Sequence, residues 1–420
     1  MKRQTPIQQR LLVFAILAMA PVWLLAKELP GITVRFYSTG IELPALYGSE
    51  LDLPEEINKA VIIDAYEHFQ NCRYQPFLQS LTDQQAKYNF SDWHLYEIVS
   101  RASEVMFHDA RYQILFQWFI LRMAGIDAQL FYAGSEVYLH APTKDVEFGF
   151  YTLEFHGQKY VNLTAKRNNL KMDEVKPYLP ELIWDGRKRR AMTMHMEELP
   201  KLPDAVVVDR LLEFSHAGQK HRMMVKLNKD HLDMMDDYPY YSQSQFFHME
   251  LSPEAEGTLL PKLEEMLRGR TQLQKIEFLL SFVRTAFLYK DDRNRFGHEK
   301  PMSPEQTLYY SYSDCEDRSA LFFYLSRKLL KIPAIVLDFE EHVGVALELP
   351  NVKGEFFRFQ DRRFVYCEAT GPDDKLAIGE MWEYVRGQKA RILTAYLPQP
   401  GEATSTVPKG SEPASDNIDP

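Results

Sequence analysis

The stretch Ser313-Asp314-Cys315-Glu316-Asp317-Arg318-Ser319-Ala320-Leu321-Phe322-Phe323-Tyr324-Leu325 reads as the start of an amphipathic helix with a thiol at its tip. Leu321, Phe322, Leu325 and Leu329 recur at three- and four-residue spacing, and Ser311, Ser313 or Asp314 supplies the N-cap. Cys315 then falls in the first turn. There the unpaired amides and the positive end of the helix dipole favour an anion, either a thiolate or the oxyanion of an acyl intermediate. Glu316 and Asp317 oppose a further negative charge, and Arg318 partly offsets them.

Lys331-Ile332-Pro333 ends the helical pattern, and Ala334 to Phe339 reads as a short buried strand rich in branched residues. In the next strand, His342 to Leu347, the side chains of His342, Gly344 and Ala346 share one face, so small residues leave room beside the imidazole for a substrate. A third strand, Arg363 to Thr370, carries Glu368. Antiparallel pairing of the last two would bring Glu368 beside His342, where it would fix the imidazole tautomer and stabilise its charged form. Taken singly, a cysteine in an apolar stretch is ordinarily inert core and a strand histidine is ordinarily structural. The order of thiol, imidazole and acid in one helix-and-hairpin pattern is what points to chemistry. Cys367 adjoins Glu368 and faces the other side of the strand, so it reads as core.

The segments DCEDRSALFFYL, EEHVGVAL and FVYCEATG together resemble the transglutaminase-like superfamily of papain-like cysteine enzymes. The resemblance covers Arg270 to Val385, with a leading helix around Ile276 to Phe287, the stretch FLYKDD, and Pro304 to Leu308 ahead of the thiol. It implies an α+β fold in which Cys315 is the nucleophile, His342 the general base and acid, and Glu368 the orienting carboxylate, where the family more often carries Asp. It also implies acyl-transfer chemistry on a peptide or protein substrate. With water as acceptor the chain would be a peptidase or amidase, and with an amine it would be a transglutaminase-like acyltransferase. The Cys315 N–H would be one oxyanion donor, with Gln306 a candidate for the second. A noncatalytic envelope or surface scaffold using the same fold is the competing reading.

The amino-terminal half echoes this pattern. At a constant offset, LFQWFILRMAGIDAQLFYAGSEVYLHA (from Leu115) lies over LFFYLSRKLLKIPAIVLDFEEHVGVAL (from Leu321), and Tyr160 to Thr164 lies over Phe364 to Glu368 after a small gap. Cys315 then corresponds to Asp109, His342 to Glu136 and Glu368 to Thr164. No thiol, imidazole or acid survives as a triad, and Cys72 lies elsewhere. The expectation is a duplicated fold whose first copy is degenerate.

The resulting division is residues 1–26 as signal peptide or membrane anchor, 27–171 as the degenerate domain, 172–250 as a β-rich spacer, 251–395 as the catalytic domain and 396–420 as a disordered tail. Lys2, Arg3 and Arg10 precede the apolar run Leu11 to Ala26, so the remainder is expected to be exported, periplasmic or extracellular. In the spacer, RLLEFSHAGQKHRMMVKL alternates about a turn at Ala217-Gly218, and Tyr238, Tyr240 and Tyr241 read as packing residues. The tail is rich in Pro, Ser, Thr and Gly without apolar periodicity.

Composition limits the remaining options. With 420 residues and 45% hydrophobic content the chain can fill more than one core, and a formal charge of −10 argues against a phosphate-tracking nucleic-acid surface. The basic cluster Arg187 to Arg190 reads as a solvated connector. Three cysteines are no disulfide framework, and the odd count leaves a thiol free. CxxC, HExxH, GxGxxG and GxxxxGKS/T are all absent, so no cofactor and no metal are expected.

Overall fold

Two buried helices organise the chain. Ala110–Met123 is buried continuously from Leu115 to Met123, and Cys315–Leu325 from Asp317 to Leu325. A helix apolar on all sides must be covered on all sides. Each therefore packs an antiparallel sheet on one side and other helices on the other. The Cys315 helix is thus not amphipathic as its spacing suggested. Its polar members Asp317, Arg318 and Ser319 are buried and hydrogen-bonded rather than facing water.

The computed structural model describes residues 31–398, apart from 47, 49, 144–151, 156, 165–175, 178–187, 197, 240–242, 293–299 and 372–375, together with residues 417–418. Residues 1–26, Arg187, Tyr240, Tyr241 and most of the tail lie outside the described residues. Helices and strands form separate blocks along the chain, which makes the fold α+β.

The first block begins with the hairpin Gly31–Phe36 and Thr39–Pro44 and continues through the helices Lys59–Asn71, Gln75–Tyr88, Asp92–Met106 and Ala110–Met123. Its sheet has the spatial order Thr152–Phe155, Gln158–Asn162, Glu136–Pro142, Gln129–Ala133, Lys176–Pro177. The second block has the helices Pro253–Leu267, Gln272–Thr285, Pro304–Tyr309 and Cys315–Leu325, the last continued by a π turn to Leu330 and stopped at Lys331, whose φ is +54°. Its sheet runs Phe356–Phe359, Arg362–Cys367, Val343–Glu348, Ala334–Asp338, Ala390–Tyr396, Asn417–Ile418. Pairing within both is antiparallel, and the order by chain position is the same over the first five strands.

The described residues of 172–250 divide between the two cores. Met192, Met194 and Met196 join the first core, whereas Leu212, Phe214, Met223, Val225 and Leu227 join the second. Those five lie on the hairpin Val207–His216 and Gln219–Asn228, whose turn residues Ala217 and Gly218 have φ of +48° and +75°. Positive φ at both turn positions matches the right-handed twist of the flanking strands. Tyr238 is buried, and its hydroxyl donates to the Met194 carbonyl. Of the basic cluster, Arg190 is exposed and also forms an ion pair with buried Asp92. At the carboxy terminus the strand runs on to Tyr396, and residues 417–418 pair with Ala390 and Arg391, so the tail is not disordered throughout its length. Among the described residues no helix is long and apolar enough to cross a membrane.

Candidate active site

Strands Val343–Glu348 and Arg362–Cys367 are antiparallel, with Val345 opposite Cys367. The start of one strand therefore lies beside the end of the other. His342, one residue before the first strand, and Glu368, one residue after the second, face each other across that end with Nε2 and Oε2 3.0 Å apart. Both are buried. The second carboxylate oxygen accepts the Thr370 N–H at 2.8 Å and also the Thr370 hydroxyl. Burial works against the Glu368 charge, but the bonds from His342 and Thr370 outweigh it and hold the carboxyl below its ordinary value.

A third group completes this pair. The Tyr366 hydroxyl donates to Glu368 Oε2 at 2.9 Å and lies 3.1 Å from His342 Nε2. Its ring occupies the space beside Gly344, where an added Cβ would come within 2.4 Å of the hydroxyl oxygen. The small residues beside the imidazole therefore make room for Tyr366 and not for a substrate. Tyr366 was legible as a residue two places before Glu368 on the same face. Nothing local showed that it would fill a glycine gap in the neighbouring strand.

Cys315 occupies the first helical position, and the N-cap is Asp314, whose carboxylate forms a capping box with Asp317. Ser313 has a different task, accepting Arg318 Nε at 2.9 Å. The Ser319 hydroxyl donates to the Val343 carbonyl at 2.9 Å and so ties the helix to the strand that begins after His342. His342 Nε2 is committed to Glu368 and Tyr366, while Nδ1 has no hydrogen-bond partner among the described residues.

In the resting geometry the thiol donates to Glu316 Oε2 at 2.8 Å. Burial, then the charges of Glu316 and Asp314, push Cys315 well above its ordinary value. The site at rest thus holds a thiol and not the thiolate that a helix tip alone would favour. The acids behind it explain why. Asp292, Asp314 and Asp317 are buried with carboxylate oxygens within 4.8 Å of one another. Burial and the Glu316 charge push Asp314 up to about 8. These carboxylates have hydrogen-bond donors of their own: Asp317 accepts from Met302 and Asp314 amides, and Asp292 from the Lys300 amide. The helix cap and the neighbouring loop thus supply amide donors to all three carboxylates.

Two buried arginines brace the end of the Glu368 strand. Arg284 donates to the Glu368 carbonyl at 2.9 and 2.6 Å, and Arg318 to the carbonyls of Thr370, Arg284 and Phe287. Sequence reading found Arg318 only as a local counter-charge and missed Arg284. Gln306 is not an oxyanion donor in this structure. Its carboxamide oxygen accepts the Ser303 N–H at 2.9 Å, and its nitrogen donates to Asp236 at 2.8 Å. Its neighbour Glu305, fully buried, accepts from the amides of Asn228 and Ser252, the Ser252 hydroxyl and His231 Nδ1. That carboxylate pins the Val207–Asn228 hairpin and two helices to the segment before the thiol.

In the first half, Asp109 caps its helix and is held by Arg111, Glu136 is an exposed strand residue, and Thr164 bonds back to Asn162. All three cysteines are unpaired, with Cys72 and Cys367 buried and Cys315 half-buried. Burial pushes the Cys367 thiol up to about 12. Comparison with known proteins finds no matching family model, no matching curated protein and no matching solved structure.

Proposed function

We propose that the second half is a transglutaminase-like, papain-like cysteine enzyme that cleaves or transfers acyl groups of peptide or side-chain amides through Cys315, His342 and Glu368. The observation that carries this reading is the buried His342–Glu368 contact of 3.0 Å with Nδ1 left over, on a strand end that Ser319 of the thiol-bearing helix ties down. Glu368 fixes the Nε2–H tautomer, so Nδ1 is the base. It takes the Cys315 proton as sulfur attacks the carbonyl carbon, and the C–N bond breaks as Nδ1–H protonates the departing amine. Water or a second amine then releases the acyl group, with the Cys315 N–H, an orphan donor of the first helical turn, stabilising the oxyanion. The first half is a degenerate copy that packs on the active one, and residues 1–26 direct export or anchor the chain.

Incubation with a glutamine-donor peptide and dansylcadaverine tests this. Amine incorporation, or ammonia release without incorporation, that disappears in Cys315→Ala and His342→Ala supports the enzyme and separates transferase from hydrolase. A noncatalytic scaffold is the second reading, favoured by the thiol's bond to Glu316. It predicts neither product, and iodoacetamide labelling of Cys315 at a rate indifferent to His342→Ala.

A further inference from the structure

The acidic residue next to the nucleophile has a geometry that helix capping does not explain. Asp314 and Asp317 make the capping box, whereas the Glu316 carboxylate turns to the sulfur at 2.8 Å. A carboxylate beside a nucleophile is a liability, since it disfavours the thiolate. It becomes useful when the substrate brings a positive charge of its own.

The surroundings fit such a charge. Tyr289 and Tyr384 are 51% and 57% exposed, unusual for large aromatic side chains. Tyr289 is held beside the nucleophile by the parallel pairing of Leu288–Tyr289 with Tyr312–Ser313. The Tyr384 ring stands 6.0 Å from the His342 ring. Tyr289 lies within electrostatic reach of Glu316, Cys315 and Tyr384, and exposed tyrosine rings near a carboxylate suit an ammonium or guanidinium group. The cations nearby do not fill that role: Arg318, 5.4 Å from the Tyr289 ring, is consumed by three carbonyls and Ser313, and Lys290 lies over Tyr312.

Resting on the acyl-transfer reading, we propose that Glu316, with Tyr289 and Tyr384, selects peptides carrying a Lys or Arg side chain beside the scissile carbonyl, and that this cation unlocks the thiol. At rest the Sγ–H bond points to Glu316 Oε2. When the substrate cation pairs with Glu316, that acceptor is withdrawn. The thiol proton then passes to His342 Nδ1 as sulfur attacks, so the nucleophile is formed only with the matching substrate in place.

The test uses the full-length protein and three small thiol reagents of different charge: trimethylammonioethyl, neutral methyl and sulfonatoethyl methanethiosulfonate. Peptide mapping reads modification at Cys315 separately from Cys72 and Cys367, and rates are divided by those of free 2-mercaptoethanol. The cationic reagent should outpace the anionic one by about tenfold or more, the order expected for a carboxylate about 4 Å away in a partly screened site. Glu316→Gln should bring the ratio close to that of the free thiol, and Tyr384→Leu should slow the cationic reagent alone. A normalised ratio near one in the native protein, or one unchanged by Glu316→Gln, overturns the proposal. His342→Ala with iodoacetamide in the same preparation keeps the two ideas apart. A His342-dependent rate without charge preference defeats the selectivity alone, and charge preference without His342 dependence defeats acyl transfer while leaving the cation receptor.

Discussion

His342 Nε2 and Glu368 Oε2 stand 3.0 Å apart with the Tyr366 hydroxyl bonded to the same carboxylate oxygen. The imidazole therefore cannot rotate without breaking the contact that fixes its tautomer. Glu368→Gln should keep the fold and lower acyl transfer by about 10²- to 10⁴-fold, the range for a general base that loses its orienting acid. Turnover of the glutamine-donor peptide by the variant at the native rate would remove Glu368 from the machinery.

Gly344 and Tyr366 should be energetically coupled. Gly344→Ala places a methyl within 2.4 Å of the tyrosine oxygen, and overpacking of this kind costs about 1–3 kcal/mol. Combined with Tyr366→Leu the cost should shrink, giving a coupling energy of at least about 0.5 kcal/mol in urea denaturation of the four proteins of the cycle. Additive effects would show that the ring moves aside freely.

Arg318 is fully buried and donates to Ser313, Arg284, Thr370 and Phe287. Arg318→Met leaves three buried carbonyls with a lost donor and should cost about 3–5 kcal/mol by denaturant unfolding. Arg318→Lys should recover little of it, because an ammonium cannot reproduce the planar fork. Full rescue by lysine would show that charge, and not geometry, holds this corner.

Acid should loosen the second half through two carboxyls. Burial opposes the charge of Glu305, but His231 and the Ser252 and Asn228 amides outweigh it, so its folded value lies below the ordinary one, as for Glu368. A depressed folded value means that the stabilisation is present above the unfolded value, about 4.3, and disappears as pH falls through the folded value. Melting temperature should thus drop steeply below about pH 4.5, where the unfolded chain begins to bind the extra protons. The double variant Glu305→Gln, Glu368→Gln should be less stable at neutral pH and flatter in acid. Equal slopes in the two proteins would assign the acid sensitivity elsewhere.

Much of the local structure was legible in the chain. The Cys315 helix tip, the three strands after it and the placement of Glu368 next to His342 follow from periodicity and from antiparallel adjacency. The same signals marked the first half, whose sheet has the same strand order. What escaped was set by partners far apart in sequence. Glu305 meets His231 74 positions away and Asn228 77 away, and Arg284 meets the Glu368 carbonyl across 84. Periodicity carries no trace of such contacts.

The amino-acid order alone therefore determined which residues share a face, since helix and strand periods dictate it. Only the packed structure decided that Tyr366 fills the gap at Gly344, that Gln306 is spent on a cap and that Glu316 accepts the thiol's hydrogen bond. Each of those outcomes depends on two surfaces meeting at hydrogen-bond or van der Waals distance. Burial then makes the choice of partner obligatory, because a polar group removed from water must bond to whatever the fold brings to it.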